Sequence, residues 1–157
     1  MSGRLGLVVL ASCALLFGCG PAEPLRVGFI GGLSDRNSDV GQAGHNGVVL
    51  AVEQINRAGG IRGRQVELIS RDDAQNRETA EKSARELAAA GVDAVIGPFT
   101  SSVAAAVVPV LAQSGTLLIS PTLTSMAFHG KDDNLVRINR TTRDNAGDYA
   151  RVLHERG

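Results

Sequence analysis

Five hydroxyl side chains stand just beyond two apolar runs. Thr100, Ser101 and Ser102 follow Asp93-Ala94-Val95-Ile96 and its stop at Gly97-Pro98, and Thr122 and Thr124 follow Thr116-Leu117-Leu118-Ile119 and its stop at Ser120-Pro121. Both runs read as buried parallel strands. Between them Ala104, Val107, Val108 and Leu111 recur at helical spacing, with Ser101 or Ser102 as a natural N-cap and Gly115 as a natural terminator. The unit is a strand, helix, strand crossover. No Asp, Glu, Lys or Arg occurs between Asp93 and Lys131, so the partial positive charge at the helix start meets no acidic neighbour in sequence. An anionic guest would supply the countercharge, lined by these hydroxyls beyond the carboxyl ends of the strands. Serines that cap and threonines that turn are the competing explanation of the same residues. The missing countercharge favours a site.

Other chemistries fit less well. The hydroxyl cluster has no general base near it in sequence, and neither a G-x-S-x-G elbow nor a P-loop occurs, so no enzyme is expected. Gly31-Gly32 and Gly41 lie either side of a long polar loop instead of joining strand to helix as a dinucleotide fingerprint requires. Asp35-x-Asn37-x-Asp39 imitates the start of a calcium loop, but Val40 stands where the turn glycine belongs and Asn46 where the bidentate Glu belongs. His45, His129 and His154 show no metal spacing and read as surface or capping residues. No metal or cofactor is expected. Asp72-Asp73 is explained by the dipole of the helix it precedes. Sixteen basic and sixteen acidic side chains, 3% aromatic residues and no dense Lys/Arg cluster exclude nucleic acid as the partner.

The elements that position the hydroxyls follow in chain order. Arg4 precedes an apolar run from Leu5 to Phe17, shorter than the ~20 residues of a membrane span and of the length of a signal-peptide core. Leu16-Phe17-Gly18-Cys19 resembles a lipoprotein processing site, so residues 1–18 are expected to be removed, Cys19 to be lipidated and residues 19–24 to form a tether. Cys13 leaves with the signal peptide, and no thiol remains for a disulfide, metal or nucleophile. Leu25 to Ile30 is the first strand, followed by a helix with Val48, Ala51, Val52 and Ile55 on one face and Gly59-Gly60 at its end. Gln65 to Ser70 is the second strand. The second helix is capped by Asn76, buries Ala80, Ala84, Leu87 and Ala88, and pairs Glu78 with Lys82 and Glu81 with Arg85. Pro109 inside the third helix predicts a kink, since a straight helix would lose ~3 kcal/mol there. After a polar loop from Met126 to Asp133 come a strand at Leu135 to Ile138 and a last helix from Asp144 to Glu155, its buried face carrying Ala146, Tyr149, Ala150 and Leu153. The expected class is α/β, an open parallel sheet flanked by helices.

Several stretches in this order resemble type I periplasmic binding proteins, in the leucine/isoleucine/valine-binding branch of ABC-transporter substrate-binding proteins. They are Val27 to Gly31, Gly47 to Asn56 with Ala58-Gly59-Gly60-Ile61-Arg62-Gly63, Arg71-Asp72-Asp73, Val95 to Pro98, Ser101-Ser102 and Gly115 to Thr124. The resemblance runs from about Leu25 to the end and implies the first lobe, residues 25–157, of a two-lobed binder without its second lobe. It implies a solute-binding lipoprotein of an ABC importer, acting outside the cytoplasm with a membrane permease and taking an amino acid or another small carboxylate-bearing solute. A lipid-anchored sensing subunit for a membrane receptor is the alternative. Ser101 matches the serine that holds the ligand carboxylate, with Ser102 beside it, Thr122 a position whose backbone faces the ligand, and Thr124 the threonine at its polar end. Two departures bear on amino-acid specificity: Val40 stands where some members carry a ligand-facing tyrosine, and the first loop is unusually acidic.

Overall fold

The computed structural model describes residues 22–34, 38–131 and 133–157. The signal-peptide run, Cys13, Cys19, Gly20 and Pro21, together with Asp35 and Asn37, lie outside the described residues. Five strands form one parallel sheet: β1 (Leu25–Gly31), β2 (Val66–Asp72), β3 (Ala94–Ile96), β4 (Leu117–Ser120) and β5 (Leu135–Arg137), in the order β2-β1-β3-β4-β5. The helices are α1 (Asp39–Arg57), α2 (Arg77–Ala89), α3 (Ser101–Gln113) and α4 (Thr142–Glu155).

Strand register sets what each face carries. Gly28 pairs with Ile69 and Val95, Val95 with Leu118 and Leu118 with Leu135, so these residues share one face. On it Ile30, Val95 and Leu118 meet Ala80, Ala84 and Leu87 of α2 and Val103, Val107 and Leu111 of α3, all buried. This is the core, and truncating Leu111 to Ala there would cost about 2–5 kcal/mol. The opposite face carries Val27, Phe29, Ile96, Ile119 and Val136, with α1 lying over its β1–β2 side. Leu117 and Val136 on that face are 41% and 49% exposed.

Chain direction determines the faces. The connection from β1 to β2 runs one way along the sheet and that from β2 to β3 runs back past β1, so right-handed crossovers put α1 on one face and α2 and α3 on the other. The order therefore switches between β1 and β3, which leaves a crevice at the carboxyl edge where ligands of such sheets bind. The start of α1 presses on the end of β1: a Cβ on Gly41 would sit 2.0 Å from the Gly32 carbonyl oxygen, so only glycine allows this approach.

Several local readings need correction. Thr100 and not Ser101 or Ser102 occupies the N-cap of α3, which continues through Pro109 to Gln113. Lys82 pairs with Glu86 at 3.9 Å and not with Glu78, whereas the Glu81–Arg85 pair forms at 2.5 Å. α4 does not bury its apolar stripe: Tyr149 and Leu153 are 71% and 72% exposed, and Ala146 and Ala150 are exposed as well. The helix is tied at its start to the turn after β4. Its start is fixed by polar bonds, a Thr141–Asp144 capping box and the Thr142 N–H and hydroxyl donating to the Thr124 carbonyl at 2.9 and 3.0 Å, and periodicity alone does not supply a surface to cover its stripe.

Candidate functional site

Two loops meet at the carboxyl edge of β3 and β4. The buried Ser120 hydroxyl donates to the Pro98 carbonyl at 2.7 Å, and the Thr122 hydroxyl donates to the Phe99 carbonyl at 2.6 Å. These bonds stitch the turn after β4 to the segment entering α3. They also divide the five hydroxyls by role. Thr122 commits its hydroxyl to the scaffold. Thr100 donates to Gln75 Oε1 at 2.9 Å and lies 3.3 Å from the exposed Ser102 hydroxyl. Among the described residues, the side chains of Ser101 and Thr124 bond no other group of the chain.

Helix α3 begins without a side-chain cap and without an acidic residue in its first turn. Its first intrahelical bond is Ala104 N–H to the Thr100 carbonyl at 3.3 Å, so the N–H groups of Ser101, Ser102 and Val103 precede the ladder. Open donors with a dipole behind them are suited to a carboxylate. Thr124 borders a cleft of about 300 Å³ with Thr142, Asn145, Ala146 and Tyr149. A larger groove of about 490 Å³ lies between α1 and the sheet, lined by apolar residues such as Val27, Val48, Ile55, Ile96 and Phe99, with Thr122 at its border. Its lining offers an anion almost no donors. The larger groove is therefore a space for apolar groups.

Residues that the sequence left without chemistry hold this edge in shape. Asp72 and Asp73 are not dipole partners at a helix start; they are turn scaffolds, four or more residues before α2 begins. The Asp72 carboxylate accepts from the Leu33 N–H at 2.8 Å, the Ala74 N–H at 2.8 Å and the Ser34 hydroxyl, tying β2 to the loop after β1. Burial works to raise the Asp72 carboxyl, but the Ser34 hydroxyl and the N–H groups of Leu33, Ala74 and Ser34 outweigh it and hold it below its ordinary value of 3.8. A depressed folded value means that this contribution to stability is present above the unfolded value of about 3.9 and is lost as pH falls through the folded one. Asp72→Asn is accordingly expected to lower the urea midpoint at pH 7 and to reduce its further fall towards pH 3. An unchanged midpoint at pH 7 would remove Asp72 from this role.

His45 is neither a surface nor a capping residue: it sits half-buried with Nε2 2.9 Å from the Ser70 hydroxyl and its ring edge-on to Phe29 at 4.9 Å. Arg137 donates to the Ser125 carbonyl at 2.9 Å and its second amino group lies 3.4 Å from His129 Nδ1, which pins the loop following Thr124. These contacts join residues eight to twenty-five positions apart, a spacing that helix and strand periodicity does not register. A basic residue at the end of an edge strand was the one cue to Arg137.

The fold agrees with what comparison finds. A family model described as periplasmic binding protein matches residues 24–157. The Leu/Ile/Val-binding protein of Escherichia coli strain K12 is 31% identical over 133 residues, 83% of this chain and 36% of that protein. The Leu/Ile/Val-binding protein BraC3 of Rhizobium johnstonii is 37% identical over 101 residues, 64% of this chain and 28% of that protein. A solved structure of the branched-chain amino acid transporter substrate binding protein LivJ from Streptococcus pneumoniae, in complex with isoleucine, aligns with a TM-score of 0.72 and 33% identity over 75% of this chain and 34% of that one. A structure from Desulfitobacterium hafniense complexed with Leu aligns at 0.73 and 29% identity, over 86% and 39% of the two chains. The chain thus spans about a third of the length of these relatives, and its sheet and helices match their first lobe.

Proposed function

The chain belongs to the periplasmic binding protein family, and we propose that it forms the first lobe of a solute receptor serving an ABC importer outside the cytoplasm. The solute is a small carboxylate-bearing molecule, an amino acid of the branched-chain kind or a relative. The observation that carries this reading is the uncapped start of α3, where open N–H groups and the uncommitted Ser101 hydroxyl stand on a loop stitched to the turn that bears Thr124. Ser101, with Ser102 beside it, and the α3 amides hold the carboxylate. The Thr122 backbone carbonyl and the Thr124 hydroxyl receive the polar end of the solute. The leucine- and isoleucine-bound relatives support the solute class. No step of bond making or breaking is required of these residues.

A two-lobed receptor gains affinity by enclosing its solute, so binding is tested in a chain continued through a second lobe. Melting that protein against the proteinogenic amino acids and small carboxylic acids is expected to single out one or a few apolar amino acids. A solute at a hundred times its dissociation constant stabilises by about 2.7 kcal/mol, a shift of several degrees. Stabilisation by neutral sugars but by no carboxylate would overturn the proposal.

Lipid anchoring through Cys19 belongs to the same reading, on the order of Arg4, apolar run and Leu16 to Cys19. The mature protein is expected to begin at an acylated Cys19, and Cys19→Ala to release it from the membrane fraction. Intact-mass measurement showing an unmodified Cys19 would contradict this.

A further inference from the structure

Thr100 occupies the N-cap of α3 in the extended conformation of a capping residue, with φ −126° and ψ 143°, yet its side chain makes no cap bond. Asn76 at the start of α2 and Thr141 at the start of α4 both make theirs. The Thr100 hydroxyl instead donates across the crevice to Gln75 Oε1 at 2.9 Å. Gln75 is held in place for this contact. Its N–H donates to Asp73 Oδ1 at 2.8 Å, and its Nε2 lies 3.4 Å from the same oxygen, which orients Oε1 towards Thr100. Ala74 and Gln75 both adopt left-handed backbone, with φ 47° and 50°, a region that residues bearing a Cβ seldom enter. The fully buried Asp73 side chain, together with the Ala74 N–H bond to Asp72, fixes that turn. Backbone strain of this kind persists only where the surroundings over-determine it, and it gathers at ligand sites.

We propose that Gln75 is a positioning residue that diverts the Thr100 hydroxyl away from α3 and so keeps the first N–H groups of that helix free for a carboxylate guest. In its present rotamer the Thr100 oxygen faces Gln75 and the Ser102 hydroxyl and makes no bond to the N–H groups of α3. Released from Gln75, the Thr100 oxygen would turn back and accept from the Ser102 or Val103 N–H, as threonine N-caps do, and would then compete with the solute for the same donors. The proposal rests on the placement of the solute at the α3 start, but the diversion itself can be tested with no solute present.

Amide hydrogen exchange on the ligand-free chain is the direct test. Gln75→Ala is expected to slow exchange at the Ser102 or Val103 amide about fivefold, the protection worth one cap bond, and adding Thr100→Val is expected to restore the original rate. Gln75→Met, which keeps the length but removes the amide acceptor, serves if the alanine variant melts. In the two-lobed chain with L-leucine as probe, Gln75→Ala is expected to weaken binding about fivefold, Thr100→Val alone to leave it unchanged, and the double variant to recover it. If Gln75 merely braced two loops, Thr100→Val would weaken binding as much as Gln75→Ala, and the double variant would recover nothing; that result would overturn the proposal. Unchanged or faster exchange at both amides in Gln75→Ala would overturn it too. Slowed exchange with undiminished L-leucine affinity would support the diversion while overturning the placement of the solute.

Discussion

Gly97→Ala is expected to destabilise the fold by about 4 kcal/mol or more, a large share of what a domain of this size has. Gly97 ends β3 with φ at 121°, where a residue bearing a Cβ is strained, and an added Cβ would sit 1.9 Å from the Ile30 carbonyl oxygen. Neither atom can yield cheaply. The Ile30 carbonyl belongs to the central strand β1, and the Gly97 N–H donates to the Ile119 carbonyl on β4 at 2.9 Å, so the residue is held between two strands. Gly115 is the control: its φ of 70° carries the left-handed penalty, but a Cβ there meets nothing within 4 Å, so Gly115→Ala should cost only about 1–2 kcal/mol. Urea midpoints of the two variants separate strain from overlap. A Gly97→Ala midpoint equal to that of Gly115→Ala would show that β1 and β3 leave room for a Cβ at this position. The effect should also reach binding, because Gly97-Pro98 sets where α3 begins.

The second large effect is on affinity. In a two-lobed chain, Ser101→Ala and Thr124→Ala are each expected to weaken binding of a carboxylate-bearing solute about tenfold or more, or about 1.4 kcal/mol each. Hydrogen bonds to a charged group contribute about 1.5–3 kcal/mol, and neither hydroxyl has a competing partner among the described residues. Thr122→Ala should act differently. Its hydroxyl braces the Phe99 carbonyl, so its loss is expected to appear first in stability and only then in binding. Ser114, at the far end of α3, donates to the Leu111 carbonyl at 3.0 Å and pairs with Thr116, so Ser114→Ala should shift melting slightly and leave affinity unchanged. Titration calorimetry on the four variants distinguishes these roles, and equal losses from Ser114→Ala and Ser101→Ala would contradict them.

Much of this architecture is legible in the residues because strand and helix periods differ and Gly and Pro punctuate them. Asn76 announces its cap, Gly115 its stop, and the run from Val95 to Thr124 its crossover. The uncharged stretch around α3 is legible too, since an uncompensated helix start is a statement about composition. What escaped has a common cause: contacts that join distant parts of the chain. The Gln75–Thr100 bond spans twenty-five residues, the Asp72–Leu33 bond thirty-nine, and the His45–Ser70 contact twenty-five. Left-handed backbone at Ala74 and Gln75 carries no Gly or Asn to reveal it. Periodicity places Tyr149 and Leu153 on one stripe of α4 but is silent on whether anything covers that stripe.

The central claim, that an uncapped helix start and neutral hydroxyls hold a solute by its carboxylate, is tested most directly by calorimetry of the two-lobed chain with L-leucine and with L-leucinamide. The account predicts that the acid binds at least tenfold more tightly than the amide, which cannot use the helix-terminal charge as fully, and that Ser101→Ala narrows the gap. Equal affinity for acid and amide, or a gap that Ser101→Ala leaves intact, would contradict it and return these hydroxyls to the role of caps.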